Sequence, residues 1–235
     1  MRNYLTYGSF DSRDFGVYIS GEGVFNAPSR NVNFIAVPGR DGDIIGPATR
    51  LQNIRVKYPA FIYTNFKANL RDFRSALLSL TGYHRLSDSY HPDEYRLATF
   101  TGPLDVNVES RNDAGRFDIE FACKPQRFLT SGDAAVTLTA SGSITNPTRF
   151  DAQPVLTVYG AGVLGIGSQS VTIASGTTQI ILDCEMQDAY FDSQSLNSAV
   201  TLSGYKFPVL APGVNNISLG SGITKVEIQP RWWTV

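Results

Sequence analysis

Apolar and polar positions alternate with a period of two over residues 15–19, 31–37 and 53–58, the pattern of half-buried strands. Between the second and third of these lies Pro38-Gly39-Arg40-Asp41-Gly42-Asp43, a run dense in turn formers that predicts a hairpin connection. The period then changes. Phe66, Leu70, Phe73 and Leu77 fall at steps of four, three and four, one face of a helix over residues 65–80. Thr64 or Asn65 is placed to cap its start, and Gly82 sits just past its end. Its apolar stripe is expected to pack on the sheet of the first half. Residues 86–94 read as a polar connection, and strands resume at 95–100, 104–109 and 116–123. The spacing fits a small α+β domain that ends near Lys124-Pro125-Gln126.

After a polar joint at Thr130-Ser131-Gly132-Asp133 the helical period is absent. Residues 136–140, 154–159, 170–173, 179–183, 199–202, 216–219 and 224–229 are short strand candidates separated by Gly, Pro, Asn or Ser. Many short strands with regular turn signals predict an antiparallel β-sandwich. Trp232 and Trp233 are expected to anchor the C-terminus on the body or on the first domain. The chain thus reads as mainly β. An N-terminal α+β domain with one helix, residues 1–130, precedes a C-terminal sandwich, residues 131–235.

Composition narrows the function classes. At 235 residues the chain suits two small domains, and 42% hydrophobic with 17% charged residues is globular. A formal net charge of −1 argues against a nucleic-acid-binding protein, which needs a basic stripe. Of the 20 basic residues 15 are arginine and 16 lie in residues 1–130, a bias that suits protein interfaces through planar, weakly hydrated guanidinium contacts. Cys123 and Cys184 sit in apolar strand surroundings and are expected to be free buried thiols. No apolar leader follows Met1-Arg2-Asn3-Tyr4, and no run approaches the ~20 apolar residues of a membrane span, so no membrane partner is expected. The product is expected to stay in the cytoplasm where it is made or to leave inside an assembly.

Catalytic and cofactor chemistry finds little support. His84 and His91 flank a loop with Asp88, Asp93 and Glu94, but their spacing matches no helical His-pair metal motif. Asp41-Gly42-Asp43 lacks the acidic ladder and closing Glu of a calcium loop. No Gly-x-Ser-x-Gly elbow occurs. Gly160-Ala161-Gly162-Val163-Leu164-Gly165 spells G-x-G-x-x-G, with Asp183 at a suitable distance. The dinucleotide mechanism needs a helix N-terminus after the motif, whereas residues 166–173 are strand-forming. A glycine-rich turn is the better account. Asn216-Ile217-Ser218 fits a glycosylation acceptor that nothing directs to the secretory route. Tyr83, Tyr90, Tyr95 and Tyr159 read as core or cross-strand aromatics. No enzyme, cofactor or metal site is therefore expected.

Several segments, in order, resemble the distal tail proteins of long, non-contractile-tailed phages. The opening Phe10-Asp11-Ser12-Arg13-Asp14-Phe15-Gly16-Val17 is similar to the start of that family, and Val37-Pro38-Gly39-Arg40-Asp41-Gly42 resembles its most recognisable motif. The helix with Leu86-Ser87-Asp88 and Pro92-Asp93-Glu94-Tyr95-Arg96 matches the middle, and the stretch from Phe117 to Pro125 the close of the N-terminal domain. Ile144-Thr145-Asn146-Pro147-Thr148, Ala152-Gln153-Pro154-Val155 and Phe207-Pro208-Val209-Leu210-Ala211-Pro212-Gly213 resemble a galectin-like second domain. Here Asn146-Pro147-Thr148 replaces the family's Asn-Pro-Gly, which alters the expected turn.

The resemblance implies a β-sandwich or split-barrel-like first domain with one helix and a galectin-like second domain. It implies a non-enzymatic structural protein of the virion tail tip. Its partners would be itself in a hexameric ring, the major tail tube protein, and the tail-associated tip protein. Receptor-binding proteins or host surface glycans would be further partners of the outward domain. A ring needs two unlike patches per subunit, and the hairpin around Gly39, Arg40, Asp41 and Gly42 and the Arg-bearing faces of the first domain are expected to contribute to them. The alternatives are a carbohydrate-binding module that contacts cell-wall glycans through the second domain, and a cell-wall hydrolase.

Overall fold

A computed structural model describes residues 2–21, 25–47, 50–109 and 113–235. The chain divides into two compact units, residues 1–127 with Val235, and residues 128–234.

The first unit contains β1 (Leu5–Tyr7), β2 (Phe10–Asp11), β3 (Val17–Ile19), β4 (Phe34–Ile35), β5 (Ile44–Ile45) and β6 (Ile54–Ile62). Then follow α1 (Phe66–Ser79), β7 (His84–Asp88), β8 (His91–Phe100), β9 (Val106–Glu109) and β10 (Ala114–Leu129). The main sheet runs β2-β1-β7-β8-β10-β6-β3, with β9 also paired to β10. Strand β6 explains the pattern: Ile54, Val56, Tyr58, Ala60 and Ile62 are buried, while Arg55, Lys57, Pro59 and Phe61 take the other face. The helix packs its stripe of Phe66, Leu70, Phe73 and Leu77 into the same core, where the Phe73 ring meets Phe10, Phe15 and Phe117. Burying four such side chains stabilises the unit by several kcal/mol, roughly 1.5–3 kcal/mol each.

The structure departs from the sequence expectations at three places. Asn65 starts the helix with left-handed backbone (φ 45°), but neither its side chain nor that of Thr64 caps it. Asn69 instead donates from Nδ2 to the Thr64 carbonyl at 2.9 Å. The expected connection at 86–94 is a hairpin of β7 and β8, because the Asp88 carboxylate accepts from the Tyr90 and His91 amides at 3.0 Å and closes the turn. The strand expected over 31–37 is reduced to β4, which pairs with β5 and not with residues 53–58.

The second unit holds β11 (Val136–Leu138), β12 (Gly142–Asn146), β13 (Val155–Gly160), β14 (Gly162–Ile166), β15 (Gln169–Ile173) and β16 (Gln179–Asp183). The others are β17 (Asp188–Phe191), β18 (Gln194–Ser195), β19 (Val200–Leu202), β20 (Gly213–Leu219) and β21 (Ile223–Gln229). They form two antiparallel sheets, β11-β21-β13-β16-β17-β18 and β12-β20-β14-β15-β19. Leu156, Val158, Ile180 and Val226 of the first and Leu164, Ile166, Val171 and Ile217 of the second share one core. The chain is mainly β, with an antiparallel sandwich as its second unit.

The G-x-G-x-x-G stretch joins β13 to β14, and no helix follows it. At Gly160 (φ 102°) an added Cβ would lie 2.0 Å from the Gly222 carbonyl oxygen, so the glycine permits the close approach of two turns. Asn146 builds the turn its neighbours altered. Its buried Oδ1 accepts from the Thr148 amide and hydroxyl at 2.9 Å, and Nδ2 donates to the Phe150 and Leu210 carbonyls. Trp232 is buried in the second core. Trp233 stacks on Phe150 at 4.3 Å and donates to the Asp151 carbonyl. Cys123 and Cys184 are free and buried.

Candidate assembly surface

Outside the first core, residues 29–35 run antiparallel to residues 44–47 and 50–52 and form an arm with them; residues 48 and 49 lie outside the described residues. Three features hold the arm together: the β4–β5 ladder, the bridge between Arg30 and Leu51, and backbone bonds from Asn31 to Arg50 and from Gln52 to Ser29, both 2.9 Å. Of residues 25–47 only Gly46 is buried. In the ladder Phe34 faces Ile45 and Ile35 faces Ile44. Successive side chains alternate faces, so both faces of the ribbon are apolar. Phe34 and Ile45 are 62% and 64% exposed, and Ile35 and Ile44 are 46% and 40% exposed.

The four residues singled out from the sequence lie at the tip of this arm. Arg40 donates its amide to the Val37 carbonyl at 3.2 Å, and Gly39 has φ 78°. Proline then glycine with positive φ inside such a turn is the pattern of a type II turn. Gly42 has φ 77°, and nothing lies within 4 Å of an added Cβ at either glycine. Arg40 and Asp41 are exposed. The structure therefore brings Gly39, Arg40, Asp41 and Gly42 together on a projecting tip.

The apolar residues behind the tip were missed from the sequence. Their signal was present: Phe34-Ile35 and Ile44-Ile45 flank the turn symmetrically, and each pair puts an apolar residue on both faces of a strand.

The root of the arm is held by a buried cation. Arg96, 4% exposed, donates from Nη1 to the Pro125 carbonyl at 3.2 Å and from Nη2 to the Asn26 carbonyl at 3.3 Å. Burial, and then the nearby Arg127 charge, lowers its pKa from the usual arginine value. Arg127 pairs with Glu94 at 3.1 Å. Beside them Tyr58 donates its hydroxyl to Asp88 at 2.8 Å, and the Phe25 ring meets that of His91 edge-on at 5.1 Å.

The histidines are engaged locally: His84 Nε2 lies 2.9 Å from the Thr81 carbonyl, and His91 Nδ1 lies 3.1 Å from Asp88. Among the described residues no group of three or more His, Cys, Asp or Glu side chains could hold a metal ion, and no helix is long and apolar enough to cross a membrane.

The phage tail protein RIFT-related domain matches residues 6–123, and the chain belongs to that family. Among solved structures its fold is similar to that of Dit of phage SPP1, described as a paradigm of the hub adsorption apparatus in phages that infect Gram-positive bacteria. That likeness covers 100% of both chains with a TM-score of 0.73 at 15% identity. A chain of the phage P2 baseplate in its activated, calcium-bound conformation matches 97% of this chain and 98% of its own length, with a TM-score of 0.50 and 9% identity. No curated protein matches the sequence significantly.

Proposed function

We propose that this protein is a non-enzymatic structural subunit of a siphophage tail tip, a hub that closes into a hexameric ring between the tail tube and the tip protein. The observation that carries the proposal is the arm. Two strands with apolar side chains on both faces stand in solvent on a fold shared with a phage hub protein. Such a ribbon is costly to leave exposed, and a neighbouring subunit is the cover that a ring supplies. The charged tip at Arg40 and Asp41 would reach beyond the apolar section and set register against that neighbour. The second sandwich would point outward to carry adhesion devices. Gold-labelled antibodies against the chain test the reading on intact virions. The label is expected only at the end of the tail distal to the capsid. Labelling along the tube, or none on virions whose tail tips are accessible, would overturn it.

A further inference from the structure

A second surface of the first unit matches the arm. The outward face of β6 and β10 lines a cleft of about 560 Å3 with Pro59, Phe61, Tyr63 and Arg116, and a neighbouring one of about 540 Å3 with Arg55, Lys57 and Glu120. At one end three aromatic rings form a platform. Tyr18 stands opposite Phe61 with ring centroids 5.9 Å apart, and Tyr63 lies 6.1 Å from both. The Arg2 guanidinium sits 4.4 Å over the Tyr63 ring. Farther along the same face the apolar side chains give way to ion pairs, Lys57 with Asp118 at 2.7 Å and Arg55 with Glu120 at 3.0 Å.

Polarity runs in the same order along the arm, from the apolar Phe34–Ile45 and Ile35–Ile44 pairs to the charged Arg40, Asp41 and Asp43. At ~3.3 Å per extended residue the cleft runs its apolar-to-charged course over roughly 20 Å from Phe61 to Arg55, while the arm runs roughly 10 Å from Phe34 to Val37 before its chain turns toward Arg40. Each end of the cleft thus meets an end of the arm with the same character, and the ion pairs at the charged end offer partners of either sign to the tip.

We propose that the arm of one copy seats in this cleft of a second copy, with Phe34 and Ile45 on the Tyr18–Phe61–Tyr63 platform and the tip over the Lys57–Asp118 and Arg55–Glu120 pairs. This rests on the reading of the chain as a ring subunit and names the acceptor surface within it. The arm does not occupy its own cleft, since Phe34 and Ile45 stand exposed in the same fold that leaves the cleft open. One chain therefore carries an unlike donor and acceptor, the requirement for head-to-tail assembly.

Cysteine cross-linking tests the contact directly. The native thiols do not interfere, because Cys123 and Cys184 are buried and poorly ionised. Full-length copies carrying Ile45→Cys are mixed with differently tagged copies carrying Tyr63→Cys and treated with a short bis-maleimide. The expected product is the mixed dimer, at least tenfold above that formed when Val163→Cys, an exposed position of the second unit, replaces Tyr63→Cys. No excess over that control overturns the proposal, as does an Ile45→Cys copy that couples mainly to itself. The mass of the unmodified protein separates the two readings. A wild-type ring without the cross-link removes only this acceptor surface, whereas a persistent monomer without it removes the ring as well.

Discussion

The Arg96 guanidinium donates to the carbonyl of Asn26 at 3.3 Å, which ties a buried cation of the β8 strand to the residue where the chain leaves the core for the arm. Its other bond, to the Pro125 carbonyl, fixes it to β10. One side chain, its charge met by backbone carbonyls, thus holds the approach to the arm at Asn26 against β10. Substitution Arg96→Met keeps apolar stem volume, removes the Arg127 repulsion and leaves two carbonyls without this donor. The unfolding free energy is expected to change little, by about 1 kcal/mol either way, because lost hydrogen bonds and relieved desolvation oppose each other. Amide hydrogen exchange over residues 29–35 is expected to accelerate while Ile119 and Phe121 stay protected. Unchanged exchange in the arm would contradict the role given to Arg96.

The exposed apolar pair of the arm is expected to matter for assembly and not for folding. Phe34→Asp with Ile45→Asp places charge where a neighbour would cover hydrocarbon. Losing that burial is worth roughly 2 kcal/mol or more, about a 30-fold weaker association. The monomer's unfolding free energy should stay within about 0.5 kcal/mol of wild type, since both side chains are solvent-exposed. Sedimentation velocity and thermal melting on one preparation check both halves of this expectation.

In the second unit, Asp183 receives a two-pronged hydrogen bond from Arg231 at 2.9 and 3.0 Å, together with the amides of Glu185 and Met186. Burial pushes its pKa upward, but the Arg231 bond, the Met186 amide and the Arg231 charge outweigh this and hold it below the usual carboxylate value. A lowered folded-state pKa means stabilisation that is complete above the unfolded value of about 3.8 and lost as pH falls through the folded one. Asp183→Asn is expected to destabilise the second unit by about 2–4 kcal/mol at neutral pH. It should also flatten the acid limb of that unit's stability below pH ~4. Urea titrations at pH 7 and pH 3 separate the two effects.

The buried thiols predict alkaline behaviour. Burial pushes both Cys123 and Cys184 from 9.0 up to about 12, so the folded chain keeps protons that the unfolded chain releases. Stability from a raised pKa is present below the unfolded value and declines as pH rises toward the folded one, here between pH 9 and about 12. Each thiol contributes a slope of roughly 1.4 kcal/mol per pH unit in that window. Cys123→Ala with Cys184→Ala should lower the stability at pH 8 and make its decline toward pH 10.5 shallower. Chemical denaturation at the two pH values measures both.

The strands and the helix were legible where one face is buried by the chain itself. Ile54, Val56 and Tyr58 alternate with Arg55 and Lys57, and the Phe66–Leu77 stripe repeats at helical spacing, because the core demands both patterns. The strands after the glycine run were legible in Ile166–Ile173, whose residues are strand-forming. The hairpin at Asp88 was not, since it is closed by a carboxylate that accepts neighbouring amides, and a polar run gives the same composition in a loop. Asn65 looked like a cap by type, but its left-handed backbone turns its side chain from that duty.

The candidate site was legible in half. Pro38-Gly39 and Asp41-Gly42 announce a turn through their backbone preferences, and the tip lies there. The pattern around Phe34 and Ile45 announces a strand without saying what covers it, because periodicity reports faces and not neighbours. Only the structure places those side chains in solvent.

Assembly of this chain with itself into a ring is read out by its mass in solution. Light scattering on the size-exclusion peak, with negative-stain images of the same fraction, is predicted to give six copies of the 25.7 kDa chain, about 154 kDa, as rings with a central hole. A mass of 25.7 kDa at every concentration, with single compact particles in the images, would contradict it.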